Sequence, residues 1–135
     1  MKRIIWIPGI LLVSLIICVA AIDPSASNNE FKNLKVLPKN ISSKQLEGIM
    51  IDEFEDGLGV QCGFCHSEKK GSHSLDYASD EKPEKEIARK MMKLTMGLNK
   101  KYFQLKNPHI GDSILIVTCA TCHRGQPHPD KESIK

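Results

Sequence analysis

Two short stretches hold the residues best suited to chemistry: Cys62-Gly63-Phe64-Cys65-His66 and Cys119-Ala120-Thr121-Cys122-His123. Each places two thiols three positions apart and an imidazole directly after the second. This C-x-x-C-H spacing is the pattern of c-type haem attachment. Two cysteines three apart near the start of a helix can each add to one haem vinyl group. The next histidine then sits under the iron as its proximal ligand. The predicted cofactors are two covalently attached haem c groups, held through Cys62, Cys65, Cys119 and Cys122, with His66 and His123 on the metal.

Other uses of four cysteines explain less. A four-cysteine zinc site usually separates its pairs by about 15–20 residues, whereas 53 residues lie between Cys65 and Cys119. Disulfides or redox thiols suit an oxidising compartment. Neither they nor zinc require a histidine after both pairs. The fifth cysteine, Cys18, lies apart from the motifs, in the N-terminal apolar segment.

An iron held by one histidine needs a sixth ligand or stays open, and that choice separates a carrier from an enzyme. The thioethers on offer are Met50, Met91, Met92 and Met96, and the further imidazoles are His73, His109 and His128. A methionine fills the site and raises the potential, which suits electron transfer. The competing role for these methionines is core packing, because the flexible thioether is a common gap-filler. The three histidines sit in polar, loop-like surroundings and read as surface residues. Spacing alone leaves the choice among the methionines open.

The elements that must position these groups are helices. Ser42 with Gln45 three positions on is a capping-box signal. Leu46, Ile49, Met50 and Phe54 then fall on one face by three- and four-residue steps, and Gly57 and Gly59 end the helix. A turn leads to Cys62. A loop of mixed polarity runs from Ser67 to Lys82. Pro83 opens a longer helix as a first-turn proline, with Glu84 and Glu86 at its positive end and Lys100 and Lys101 at its negative end. Ile87, Met91, Leu94 and Leu98 form an apolar stripe that needs a cover, and a haem face suits the purpose. Asn107-Pro108 breaks the pattern and Gly111-Asp112 turns. Ile114 to Val117 predicts a brief strand or a buried approach to Cys119. The expected class is mainly α: two helix–turn–CxxCH haem-binding units in a multihaem c-type cytochrome fold.

The chain of 135 residues is one domain by length and opens with an export-type segment. Lys2 and Arg3 precede 19 uncharged residues, Ile4 to Ile22. Residues 1–21 read as a signal peptide cleaved after Ala21 or as a retained membrane anchor through residues 4–22. Either way the basic end favours the cytoplasmic side and the rest lies outside, in the periplasm or on the extracytoplasmic face. A lipid on Cys18 is a third reading, disfavoured by the bulky Ile17 before it. Residues 22–32 form a linker, 33–127 the dihaem domain and 128–135 a polar tail. Without Lys2 and Arg3 the chain has 17 basic and 16 acidic residues. That balance gives no basis for nucleic-acid binding.

The motifs and their order resemble the tetrahaem cytochrome c subunit family of photosynthetic reaction centres. The likeness covers roughly Asn33 to Pro127. It is carried by Leu34-Lys35-Val36-Leu37, Ile49-Met50, Cys62-Gly63-Phe64-Cys65-His66, Ala78-Ser79-Asp80, Ala88-Arg89-Lys90-Met91, Asn99 and Thr121-Cys122-His123-Arg124-Gly125. In that family each haem site joins a ligand-bearing helix, a turn and a helix that begins with C-x-x-C-H, and the helix methionine is the sixth ligand. The resemblance therefore implies that Met50 pairs with His66 and Met91 with His123. The family's members carry four haems in about twice the length, so this chain resembles the first pair, a half-length dihaem relative. The fold and ligands are carried over and the reaction-centre partner is not.

The expected function is to carry single electrons between a protein donor and a protein acceptor outside the cytoplasmic membrane, without enzymatic turnover. The alternative is a small dihaem redox enzyme of peroxidase or reductase type with one labile sixth ligand.

Overall fold

The computed structural model describes residues 31–129. The export-type segment, Cys18, nearly all of the linker and residues 130–135 of the tail lie outside the described residues. Among the described residues no helix is long and apolar enough to cross a membrane.

The first helix starts where its cap directs. The Ser42 backbone N–H donates to Gln45 Oε1 at 3.1 Å, and the Gln45 N–H donates back to Ser42 Oγ at 3.3 Å. This reciprocal pair satisfies two donors that a helix start leaves orphaned. Helix α1 covers Ser43–Ile49 and widens at once into a π-helical stretch, Met50–Asp56. Such widenings are rare and concentrate at functional sites. The residue that opens this one is Met50, a thioether singled out in the sequence. The helix closes at Gly59, whose φ of +64° is left-handed. A side chain there would also collide with the carbonyl of Gly125.

The 3₁₀ turn Cys62–Phe64 carries the first motif. The stretch from Ser67 to Lys82, expected as a plain loop, contains a small antiparallel hairpin. Strand β1 (Ser67–Glu68) pairs with β2 (Leu75–Asp76) in the register Ser67↔Asp76 and Glu68↔Leu75. Two-residue strands are too short to leave an alternating signal in sequence.

Helix α2, Pro83–Tyr102, begins with its proline and has Glu84 and Glu86 in its first turn and Lys100 and Lys101 in its last. It has two contrasting long faces. One buries Arg89, Met92 and Asn99. The other is the predicted apolar stripe, and it is uncovered: Ile87, Met91 and Leu94 are 53%, 46% and 54% exposed. Soluble surfaces tolerate scattered apolar side chains, but a row of them along one helix face marks a binding surface.

The chain then reverses through Gln104 and Asn107, both with positive φ. Ile114 to Val117 forms bends, not a strand, and Ile114 and Ile116 are exposed. This segment is held by a side chain instead of a sheet. Asn99, fully buried, donates to the Val117 carbonyl at 2.7 Å and to the Thr95 carbonyl at 2.9 Å. Its Oδ1 accepts the N–H groups of Ile116 and Val117 at 2.9 and 3.1 Å. One amide thus supplies most of what a neighbouring strand would have offered. Helix α3, Cys119–His123, follows immediately and carries the second motif.

The core proper is small. Leu37, Met92 and Ile110 are the buried apolar residues, with Leu34, Val36, Leu46, Ile49, Met50, Phe54 and Met96 packed around them. A small domain with so few buried side chains needs something else to fill it.

Candidate functional site

The space is there. A cavity of about 600 Å³ opens between the extended segment at residues 31–37, the first helix, the first C-x-x-C-H motif and the inner face of α2. Its wall takes Leu34, Val36 and Leu37 from the first of these, and Leu46, Met50 and Phe54 from the helix. Val60, Cys62, Cys65 and His66 come from the motif region, and Ala88, Arg89 and Met92 from α2. A mostly apolar lining with a few convergent polar groups is the character of a cofactor pocket, and the volume lies within the usual range of about 300–1,000 Å³. Both thiols and the imidazole of the first motif face the same space as the Met50 thioether. Fold and motif thus provide, in one cavity, two points of covalent attachment and two kinds of iron ligand.

The electrostatics of the first site follow from burial and from cations. Burial lowers the His66 pKa, nearby Lys85 lowers it further, and the backbone of Tyr77 pulls the other way. The neutral ring that results is the form that ligates a metal. Its Nδ1 is buried without a hydrogen-bond partner, and the Tyr77 ring meets it edge-on at 5.1 Å. Burial also raises the Cys65 pKa, with Glu84 adding to the effect.

A clasp of charges ties the extended segment to α2 beside the cavity. Asp80 accepts from Asn33 at 2.8 Å, from Lys35 at 2.6 Å and from Arg89 at 2.9 Å, with Lys85 at 3.5 Å. Arg89 also reaches the Asn33 carbonyl at 3.3 Å and Glu86 at 3.1 Å. The bonds of Arg89 and Lys35 push the Asp80 carboxyl well below the usual carboxylate range. Burial works against the charge of Arg89, but its bonds to Asp80 and Glu86 outweigh that cost and raise its pKa. A buried cation is tolerable only with such partners. The clasp fastens the extended segment to α2, so Arg89 is both a wall residue of the cavity and a tie between two of its walls.

The second site is built differently. Helix α3 packs on the end of the first helix, where the Gly125 N–H donates to the Gly57 carbonyl at 3.1 Å. Thr118 caps α3 through its N–H to Thr121 Oγ1 at 3.0 Å. The His123 Nδ1 donates to the Gln126 carbonyl at 2.9 Å, since a carbonyl can only accept. That bond fixes the tautomer and leaves Nε2 free, the usual orientation of a metal-binding imidazole. Glu53, on the π-helical stretch, accepts the Cys119 N–H at 3.3 Å. Burial, together with Glu53, pushes the Cys119 thiol up to about 12. Cys122 and the uncovered Met91 stripe are exposed.

All four motif cysteines are unbridged. Among the described residues no three His, Cys, Asp or Glu side chains gather as a metal cluster, so the two pairs do not meet in a zinc site. Burial raises the pKa of one thiol in each pair, Cys65 and Cys119, which disfavours thiolate character at those two positions. His73, His109 and His128 are exposed, as the sequence suggested. Met92, by contrast, is only 6% exposed and faces the first cavity beside Met50, while its neighbour Met91 faces the opposite side. Glu53, Tyr77 and Gln126 carry no local signal of a role, because each acts through a contact distant in sequence or through its backbone. Asn99 and Arg89 entered only as matched letters of a family pattern.

Paired thiols followed by an imidazole, twice over, define the c-type cytochromes, and comparison with known proteins agrees. The sequence model of the family described as photosynthetic reaction centre cytochrome C subunit matches residues 13–134, and the chain belongs to that family. It is 33% identical over 96 residues to cytochrome c-554 of Chloroflexus aurantiacus, covering 71% of this chain and 21% of that protein. It is 35% identical over 104 residues to the photosynthetic reaction center cytochrome c subunit of Rubrivivax gelatinosus, covering 76% of this chain and 25% of that one. The match thus spans a quarter or less of either relative. No solved structure matches the chain. Membership carries with it covalently bound haem c and electron transfer as the family's chemistry.

Proposed function

We propose that this chain is a dihaem c-type cytochrome that passes single electrons between a protein donor and a protein acceptor outside the cytoplasmic membrane. The observation that carries the reading is the first cavity, which gathers Cys62, Cys65, His66 and Met50 around a space suited to one haem. Haem c supplies a one-electron iron couple; the chain's task is to hold it still and shield it.

At the first site Cys62 and Cys65 would hold the porphyrin covalently, His66 and Met50 would ligate its iron, and Leu34, Leu37, Leu46 and Phe54 line the apolar wall that would keep water away. At the second site Cys119 and Cys122 attach the porphyrin, and His123 is oriented for iron by Gln126. Met91 is the sixth ligand there. Two features support it over Met92. Met92 is committed to the core and to the first cavity, and Met91 lies in the uncovered row with Ile87 and Leu94. A haem lying on that row would cover apolar side chains that otherwise face water. With a histidine and a methionine available for each iron, no position would be left open for a substrate, which favours a carrier over a peroxidase or reductase.

The test is intact-mass analysis of the purified exported protein with a pyridine haemochrome assay. Two covalent haems per chain are expected, together with a low-spin reduced spectrum that carbon monoxide barely changes. One haem or none would overturn the dihaem reading, and ready carbon monoxide binding would overturn the carrier.

A further inference from the structure

We infer that a ridge of lysines along α2, made by Lys90, Lys93, Lys100 and Lys101 with Gly97 at its middle, is the docking face for an acidic redox protein. The inference rests on the carrier reading and gives one of its partners a chemistry.

Charge is sorted along this chain. Residues 87–111 carry Arg89, Lys90, Lys93, Lys100, Lys101 and Lys106 and no Asp or Glu. Residues 45–68 carry Glu47, Asp52, Glu53, Glu55, Asp56 and Glu68 and no Lys or Arg. The near balance of the totals therefore hides stretches of opposite sign, and a local field of one sign steers a charged partner.

The basic stretch is answered only in part. Among the described residues the ion pairs join Lys35, Lys85 and Arg89 to Asp80 and Glu86. Lys90, Lys93, Lys100 and Lys101 are exposed and enter none of these pairs. Lys101 stands 5.0 Å over the Tyr102 ring. At 3.6 residues per turn, positions 90, 93, 97, 100 and 101 share one side of the helix. The lysines thus form two pairs, one about a turn before Gly97 and one about a turn after it. They border the exposed row of Ile87, Met91 and Leu94.

Gly97 is the second, independent observation. Glycine weakens a helix interior relative to alanine. Nothing within the described fold asks for so small a residue here, since a Cβ at Gly97 meets no atom within 4 Å. Bare backbone between two lysine pairs lets an approaching surface come close.

A protein fits this face better than an anionic membrane does. A helix that lies on lipid needs a free apolar face beneath its lysines. Here the lysines lie on one side of the row, and positions 84, 95 and 102, a Glu, a Thr and a Tyr, border the other. On the proposed reading the row itself is covered by the second haem. A partner on the ridge then lies beside the second site. One electron crosses: the centre that gives it up is oxidised, the iron that takes it is reduced, and no bond or proton moves.

The test uses a plant-type [2Fe–2S] ferredoxin, an acidic one-electron donor, as the probe with the purified haem-loaded protein. Binding of the oxidised ferredoxin is measured by calorimetry at low ionic strength, and haem reduction by the reduced ferredoxin in a stopped-flow instrument. Binding is expected, and it should fade as salt is added. Lys90→Gln with Lys93→Gln should weaken binding and slow reduction by about tenfold. Gly97→Gln, which adds bulk without charge, should weaken binding severalfold. Lys69→Gln with Lys70→Gln, an exposed pair on the hairpin, should change little. The inference is overturned if the ferredoxin does not bind, if the hairpin pair matters as much as the ridge pair, or if Gly97→Gln binds as well as the unaltered protein. It is also overturned, in favour of lipid, if the ridge variants lose only their sedimentation with phosphatidylglycerol vesicles. Ridge-dependent binding with no haem reduction overturns the carrier reading instead, so the two failures are distinguishable.

Discussion

The two C-x-x-C-H motifs are near copies in sequence and opposites in setting. The first lies against a cavity that takes side chains from the extended segment, the first helix and α2. The second sits on a five-residue helix packed on the end of the first helix. The difference comes from α2. Its inner face, with Arg89 and Met92, lines the first cavity, and its outer face, with Met91, is exposed and, on the proposed reading, serves the second site. A haem at the first site completes the protein's core, whereas one at the second covers a surface.

The largest expected effect tests that contrast directly. Replacing Cys62 and Cys65 by alanine removes the first attachment and, with it, the filling of the core. Cys119 and Cys122 replaced likewise remove only a cover. Both pairs should lose one haem by mass. The first pair should show the much larger fall in thermal midpoint or fail to accumulate. Equal falls would break the comparison.

Methionine substitutions sharpen it. Met92→Ala should cost about 2 kcal/mol in chemical denaturation, at the low end for a buried methionine because Met50 and Met96 can close on the gap. It should leave both methionine–iron charge-transfer bands in place. Met91→Ala should cost little stability and remove the band of the second haem, and Met50→Ala that of the first. If Met92→Ala removes a band and Met91→Ala does not, the ligand assignment at the second site is wrong.

Asn99→Ala should cost roughly 2 kcal/mol by leaving the part-buried N–H groups of Ile116 and Val117 without their acceptor. Hydrogen exchange should rise at residues 114–118 and stay unchanged around Cys62. Spread of the effect to the first site would show that the two regions are one cooperative unit.

The smallest effect concerns pH. The Asp80 carboxyl is held below its ordinary 3.8 by Arg89 and Lys35, so its contribution to stability is full above that value. That contribution is lost as pH falls below it towards the folded value. Asp80→Asn should therefore lower the thermal midpoint slightly at neutral pH, and the gap from the unaltered protein should narrow below about pH 4. A gap that widens in acid would contradict the clasp.

Much of this was legible in the sequence because the signals are local. The Ser42 and Gln45 cap, the Pro83 start, the closing lysines of α2 and both motifs depend on neighbours a few positions away. The hairpin at Ser67–Asp76 was not legible, since its strands are too short to alternate. The route of Ile114 to Val117 was not either. Its apolar letters suggest a strand, but the single amide of Asn99, some 17 positions earlier, decides its path. The two faces of α2 were half legible. The stripe through Ile87, Met91 and Leu94 was plain, but which face meets the core depends on where the extended segment docks. That docking is made by Asp80 gripping Asn33, Lys35 and Arg89 across 45 or more positions of chain for the first two. The gathering of Met50 with Cys62, Cys65 and His66 followed from the family pattern more than from periodicity.

Helix α2 works as a party wall. Successive residues on a helix point about 100° apart, so Met91 and Met92 look into different rooms while sharing one backbone. Any change that turns or slides this helix disturbs both neighbours together. On the dihaem reading, tuning one site without the other is therefore open only to side chains, and substitutions that move the α2 backbone should disturb the spectra of both haems at once.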